Sequence, residues 1–219
     1  MNRQASGGND ELRDVLAKKK LNLSIKRAFD LLVSLIGLFI LSLLFVIVAI
    51  VIKIDTNGPI FYKQVRVGRF GKSFKIIKFR TMITEADKKG MQITVGGDAR
   101  ITKAGKLLRR SKIDELPQLI NIVTGNMSFV GPRPEVPKYV GLYNESQKQV
   151  LLVRPGITDP ASIKYRNEND ILARSSDPER TYIEEIMPAK LDLNLQYIRK
   201  FSLINDISVI FKTIHAVLI

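Results

Sequence analysis

Apolar and polar positions alternate with different periods along the chain, and each change of period marks an element. Residues 31–52, LLVSLIGLFILSLLFVIVAIVI, carry no charge at all. A helix of that length rises about 33 Å, enough for a hydrocarbon core of roughly 30 Å. It is apolar on every face, which marks a membrane element over a helix buried in a soluble core. A cleaved signal peptide fits poorly, because the run is too long, starts late and lacks a small-residue cleavage site. The membrane helix is expected from about Leu23 to Ile54. Its flanks are basic on both sides: Lys18, Lys19, Lys20, Lys26 and Arg27 before it, and Lys53, Lys63, Arg66, Arg69 and Lys72 after it. Two arrangements are open, a span with a basic flank on each side or a re-entrant element that enters and leaves by one face. The charge symmetry favours the second.

Residues 1–20 read as a polar, loosely ordered lead, with a short amphipathic helix from Asp10 onward that suits a membrane surface. Asp55-Thr56-Asn57-Gly58-Pro59 is a turn. In 60-IFYKQVRVGRFGKSFKIIKFRTM-82 apolar and basic residues alternate on both sides of Gly68-Arg69-Phe70-Gly71, which predicts a β-hairpin. Its polar face would be almost wholly cationic: Lys63, Arg66, Lys72, Lys78 and Arg80. Residues 83–100 read as loop, and 101–110 as a short basic helix. Residues 138–153 look helical, Arg154-Pro155-Gly156 breaks them, and 157–172 is polar and irregular. Two helices close the chain, over 178–200 (Ile183, Ile186, Leu191, Leu195, Ile198) and 202–217 (Ile207, Ile210, Ile214, Val217), either in the core or at a membrane interface. The expected fold class is mostly α with a small β-hairpin, in three parts: the lead 1–20, the membrane helix 21–55, and a domain over 56–219.

Composition narrows the chemistry. Lys and Arg number 35 against 21 Asp and Glu, a net +14, which favours nucleic acid, an anionic membrane or phosphorylated substrates as partners. There are no cysteines, so thiolate catalysis, disulfides and cysteine zinc sites are excluded. The single histidine, His215, lies near the end of the chain and reads as structural. Any catalysis must rest on carboxylates, hydroxyls, lysines, arginines or a hard cation.

The segment 111-SKIDELPQLINIVTGNMSFVGPRPEVP-137 supplies candidates. Pro117 is tolerated only in a first helical turn, so a helix should begin near 113–115, stop at Gly125, and present Leu116, Leu119, Ile120 and Val123 to a core. Asp114 and Glu115 then sit at the positive end of its dipole, beside Arg109, Arg110 and Lys112, where ionised carboxylates are favoured. An ionised Asp is an oxygen nucleophile toward phosphorus or a sugar centre, and an adjacent Glu can hold Mg²⁺. The plain alternative is a capping Asp followed by a first-turn acid. Neighbouring helical residues point about 100° apart, so one nucleophile and one metal ligand suits the pair better than two equivalent acids.

KFRTM, RRSKIDELPQLINIVTGNMSFVGPRP and RPGIT together closely resemble the bacterial sugar transferases that start glycan assembly on a lipid carrier, the monotopic polyprenol-phosphate phosphoglycosyl transferases. The resemblance runs from Lys26-Arg27 to about Asp206. It implies that Asp114 attacks the β-phosphate of a UDP-sugar, releases UMP and forms a covalent phosphosugar enzyme. A polyprenol phosphate, usually undecaprenyl phosphate, then takes the phosphosugar. It also implies Mg²⁺ near Glu115 and a re-entrant helix that returns to the cytoplasmic face of the bacterial inner membrane, above a small helical domain with interfacial helices. Arg109, Arg133 and Arg154 suit bidentate phosphate contact. Lys78 and Arg80 would add phosphate or membrane contacts, with Pro134 and Asp206 in support. The expected partners are a UDP-sugar, polyprenol phosphate and anionic lipids, with no nucleic acid; a homodimer is compatible. Sugar recognition is expected from 157–172. One departure stands out: the family usually has Ser-Pro in mid-helix, and this chain has Ser42-Leu43, leaving Ser34, Gly37 and Ser42 to help a bend. Two competing readings remain: a membrane-tethered basic adaptor for anionic lipid or nucleic acid, and a direct transfer with Asp114 as general base.

Overall fold

A computed structural model describes residues 12–86 and 98–218. The lead over 1–11, the central part of the expected loop (87–97) and the side chain of Val217 lie outside the described residues. Residues 12–18 are helical, and Leu12 is buried in the main core with Leu16 packed beside it. The short helix expected from Asp10 onward is thus present over 12–18, with its apolar side docked on the domain core.

The long apolar helix is two helices, α1 (Lys20–Ile40) and α2 (Ser42–Asp55), bent by 61° at Leu41. No single helix among the described residues is long and apolar enough to cross a membrane; the bent pair passes that test only together. The bend needs no proline, since Leu41 N–H still reaches Gly37 O at 2.9 Å. Its cause is docking onto two different surfaces. α1 lies along α4 (Gln118–Val123), close enough that a Cβ at Gly37 would sit 3.3 Å from Leu119 Cδ1. α2 instead packs Val48 and Ile52 against Phe79 and Leu108. Leu43 is exposed beside the break.

The hairpin forms as read, with β1 (Phe61–Val67) antiparallel to β2 (Ser73–Phe79) and Phe70 in the left-handed region at its tip. The single cationic face does not form. Pairing of Tyr62 with Lys78 and Arg66 with Phe74 puts Arg66 and Lys78 on the inner face with buried Ile76. Lys63 faces the other way, Lys72 lies in the turn and Arg80 follows the strand. Alternation holds only within a strand; across the turn, register decides the face. Asn121 clamps the hairpin to α4, accepting from Ile77 N–H at 2.9 Å and donating to Lys75 O at 2.8 Å. Asn121 is buried, so Asn121→Ala is expected to destabilise the fold by about 2–4 kcal/mol through two orphaned backbone groups, measurable by denaturant unfolding.

The motif segment gives α3 (Lys103–Arg110), a 3₁₀ turn (Ile113–Glu115) and α4, closed by Gly125 at φ 84°. A pairing with no local sequence signature follows: β3 (Ser128–Val130) and β4 (Gly156–Thr158) are parallel. The GPRP and RPGIT motifs meet there. A Cβ on Gly131 would lie 2.4 Å from Arg154 O, and one on Gly156 would lie 2.2 Å from Gly131 N, so only glycine allows the approach.

The expected helix over 138–153 is broken into α5 (Pro137–Val140) and a 3₁₀ turn (Gln147–Leu152). Between them, Asn144 and Gln147 exchange side-chain bonds to each other's N–H, which stops the helix. Conversely, 157–172 is more regular than expected, with α6 (Pro160–Lys164) and α7 (Glu168–Ala173). Asp159 caps α6 by accepting from Ala161 and Ser162 N–H. The helix over 178–200 is α8 (Pro178–Thr181), a π turn (Tyr182–Ile186) and α9 (Met187–Arg199). Pro188 lacks an N–H and crowds the preceding turn, which accounts for the wide segment. α9 is a core helix, with Met187, Leu191, Leu195 and Ile198 buried around Tyr139 and Leu172. α10 (Leu203–Leu218) buries Val209 but exposes Ile204, Ile207, Phe211 and Ile214, the amphipathic pattern of an interfacial helix.

Candidate active site

The hairpin, α3, the 3₁₀ turn, the GPRP loop and α6–α7 enclose an open cleft of about 760 Å³, within the range of small-molecule sites. Lys112 stands just before the dyad at φ 57°. This left-handed residue turns the chain sharply out of α3 and presents the 3₁₀ turn to the cleft.

Asp114 is 7 % exposed, and its Oδ1 is buried without a hydrogen-bond partner. The capping alternative lacks its bond, because neither the 3₁₀ turn nor α4 has a side-chain cap. Burial pushes the Asp114 carboxyl above the usual Asp range, against the pull of Lys78. That corrects the expectation of a readily ionised acid. The start of the segment is a three-residue turn, so the dipole is small, and desolvation wins.

Glu115 has the opposite environment. Its Oε1 accepts from Lys78 Nζ at 2.8 Å and from Arg133 Nη2 at 2.5 Å. Burial alone would raise its pKa, but Arg133 and Lys78 overcome it and hold the group well below the usual Glu range. Oε2 has only a 3.4 Å contact with Arg133. Among the described residues no three acids or histidines cluster as a metal cage. The orphaned Asp114 Oδ1 and the open Glu115 Oε2 nevertheless fit Mg²⁺, which takes one or two carboxylates and completes its shell with water and phosphate oxygens.

The other candidates divide. Arg109 lines the cleft, its Nε donating to Thr81 Oγ1 at 2.9 Å. Pro134 lines it too, and its carbonyl accepts from Arg66. Arg80 borders the cleft, but its guanidinium donates to Thr56 O and Asn57 O at 2.7 and 2.6 Å, fastening the end of α2. Arg154 is not in the cleft; its Nε donates to Gly125 O at 2.9 Å beyond α4. Asp206 is also remote, accepting from Lys26 Nζ and Tyr197 OH, each at 2.5 Å, and so ties α1 to the domain. His215 is exposed on α10 and does not line the cleft. Sequence reasoning missed Thr81, which holds Arg109, and Glu135, which accepts from Arg66 and Tyr182 and steadies the GPRP loop. Thr81 stood inside the KFRTM motif; Glu135 carried no local signal.

Two adjacent carboxylates with pKa values shifted in opposite directions thus sit in a cation-lined cleft. The profile of the bacterial sugar transferase family matches residues 21–219, and the chain belongs to that family. It is 35% identical over 197 residues to the UDP-N-acetylgalactosamine-undecaprenyl-phosphate N-acetylgalactosaminephosphotransferase of Aeromonas hydrophila, covering 89% of this chain and 44% of the relative. It is 37% identical over 199 residues to the UDP-glucose:undecaprenyl-phosphate glucose-1-phosphate transferase of Escherichia coli, covering 89% and 40%. It is 38% identical over 202 residues to the exopolysaccharide production protein PSS of Rhizobium leguminosarum bv. phaseoli, covering 89% and 95%. The chain thus spans less than half of the first two relatives and nearly all of the third.

Proposed function

We propose that this protein transfers a sugar-1-phosphate from a UDP-sugar to undecaprenyl phosphate in the first membrane step of exopolysaccharide assembly or a related glycan pathway. The observation that carries the reading is Asp114: a buried carboxylate whose Oδ1 has no hydrogen-bond partner, in a residue that lines the cleft with Arg109, Arg133 and Lys78. An Asp114 oxygen forms a bond to the β-phosphorus of the UDP-sugar. The bond from that phosphorus to the bridging oxygen breaks, and UMP leaves with the electron pair. An oxygen of the polyprenol phosphate then attacks the same phosphorus, giving a polyprenyl diphosphosugar and restoring the carboxylate. Arg109 and Arg133 are the guanidiniums suited to the diphosphate, where cations stabilise charge that shifts during transfer. Glu115 keeps Arg133 and Lys78 aimed at the cleft. Mg²⁺, held through Glu115 Oε2 and Asp114, would neutralise phosphate charge and orient the leaving group. The exposed apolar outer faces of α1, α2 and α10 support a monotopic placement at the cytoplasmic face of the inner membrane, with the bent pair inserted from that side.

The test is the full chain in detergent with undecaprenyl phosphate and a panel of UDP-sugars, monitoring UMP. Release with at least one donor, dependent on the lipid for turnover, is expected; no release with any donor would favour the basic adaptor. The raised pKa of Asp114 also suits a general base in a direct transfer. Intact-mass measurement after UDP-sugar alone separates the two, because only the covalent route leaves a phosphosugar adduct.

A pH prediction follows from the same geometry. The nucleophile must be ionised, so UMP release should fall as pH drops through a value above the ordinary Asp range. Lys78 lowers that value by its charge, so Lys78→Gln should move the acid limb of the pH–rate profile to higher pH, in addition to lowering the plateau.

A further inference from the structure

We infer a second anion subsite, for the phosphodiester of a membrane phospholipid, at the seam where α1 meets β3 and β4. A small cavity of about 50 Å³ lies there and shares no lining residue with the dyad cleft. Its charged lining is Arg27, Arg69, Arg154, Lys26 and one acid, Asp30.

Each guanidinium is fixed by a carbonyl from another segment. Arg27 donates to Ile122 O at 2.7 Å and Val123 O at 3.2 Å, Arg154 Nε to Gly125 O at 2.9 Å, and Arg69 Nε to Leu152 O at 3.0 Å. Capping of α4 accounts fully for Arg27. It does not account for the terminal nitrogens of Arg154 and Arg69, which have no hydrogen-bond partner among the described residues; Arg69 otherwise stacks on Phe70, 4.4 Å from the ring centre. Nearby Lys26 is occupied by Asp206 at 2.5 Å and Asp30 at 3.8 Å. No acid lies within ion-pair distance of the three guanidiniums among the described residues. Burial and then the charges of Arg69 and Arg27 push the Arg154 pKa down, and buried Asp30 offsets only part of that. Three guanidiniums fixed around one cavity, whose single carboxylate, Asp30, already faces Lys26 and accepts from Ser128, leave excess positive charge for a phosphate.

The surroundings select a lipid as the source. Leu21, Ile25 and Phe29 are exposed on the face of α1 opposite Arg27, at the same level along the helix, and Phe70 is exposed at the hairpin tip beside Arg69. A phosphate held here lies at the level of these exposed apolar side chains, as a phospholipid headgroup lies beside its acyl chains. The inference rests on the membrane placement proposed above and is independent of the chemistry at Asp114.

The test uses the full chain in detergent micelles and native mass spectrometry. Phosphatidylglycerol is compared with diacylglycerol of the same acyl chains, with inorganic phosphate as competitor. One phosphatidylglycerol should be retained per chain, and the Arg69→Gln/Arg154→Gln double variant, checked as folded by circular dichroism, should bind it about tenfold more weakly or worse. Equal retention of diacylglycerol by the wild type would overturn the proposal, and this comparison decides it even where the double variant does not fold. Unchanged phosphatidylglycerol affinity in a folded double variant would also overturn it. Displacement by inorganic phosphate at matching concentration would reassign the site to a soluble anion.

Discussion

Asp114→Asn should reduce UMP release by about a thousandfold or more, abolish the phosphosugar adduct, and leave the protein folded. The size follows from the role: removing the attacking atom removes the covalent route entirely. The same substitution should raise stability slightly at neutral pH. Burial raises the Asp114 pKa, so ionising the carboxylate costs the folded state more than the unfolded chain. That cost appears as pH rises above the ordinary Asp value and is complete above the raised one. A neutral amide avoids it. Loss of activity with a gain in stability would mark a site strained for function. A variant that unfolds, or one that still releases UMP at the parent rate, would remove Asp114 from the role of nucleophile.

Glu115→Ala should act on both stability and activity. It leaves Lys78 and Arg133 facing one another without their shared carboxylate. Breaking a buried ion pair typically costs 3–5 kcal/mol, but the Arg133 side chain is 36% exposed, so solvent screening brings the expected loss to about 2–4 kcal/mol. Denaturant midpoints at several pH values check it. Glu115 is held well below the usual Glu range in the fold. Its contribution is therefore complete above the unfolded value of about 4.3 and is lost only as pH falls through the depressed folded value. The gap between parent and variant should stay constant above about pH 5 and close only in strong acid. Activity should fall with loss of the metal and phosphate contacts proposed for Glu115 and Arg133; a variant that keeps full turnover would make Glu115 a packing acid only.

Legibility differed from element to element. The hairpin was readable because alternation with period two on either side of a Gly-containing turn has few other solutions. The start of the dyad segment was readable from Pro117, and its end from Gly125. The helix over 138–153 was not, because its apolar spacing says nothing of the Asn144–Gln147 exchange that interrupts it. Arg154 was read as a phosphate ligand because it stands beside a turn in a recognisable motif; in the fold that motif pairs with GPRP as β4 beside β3, and the arginine points behind α4. Arg80 likewise sits in a motif beside Lys78 yet holds the end of α2.

The chain's local order was enough to establish an uncharged membrane-length run, a basic domain without thiols, and two adjacent acids before a proline, because these depend only on residue type and spacing. It was also enough to resemble a family whose profile covers residues 21–219. The division of labour between the acids came from contacts between distant segments. Asp114 is isolated and Glu115 is doubly paired because Lys78 from the hairpin and Arg133 from the GPRP loop both converge on Glu115. The bend at Leu41 has the same kind of origin: α1 follows α4 while α2 follows Phe79 and Leu108, and two docking surfaces at an angle bend a helix without help from proline. Residue type sets what a side chain can do, and long-range packing sets its solvation and its partners, which here leave Asp114 unpaired and Glu115 paired to Lys78 and Arg133.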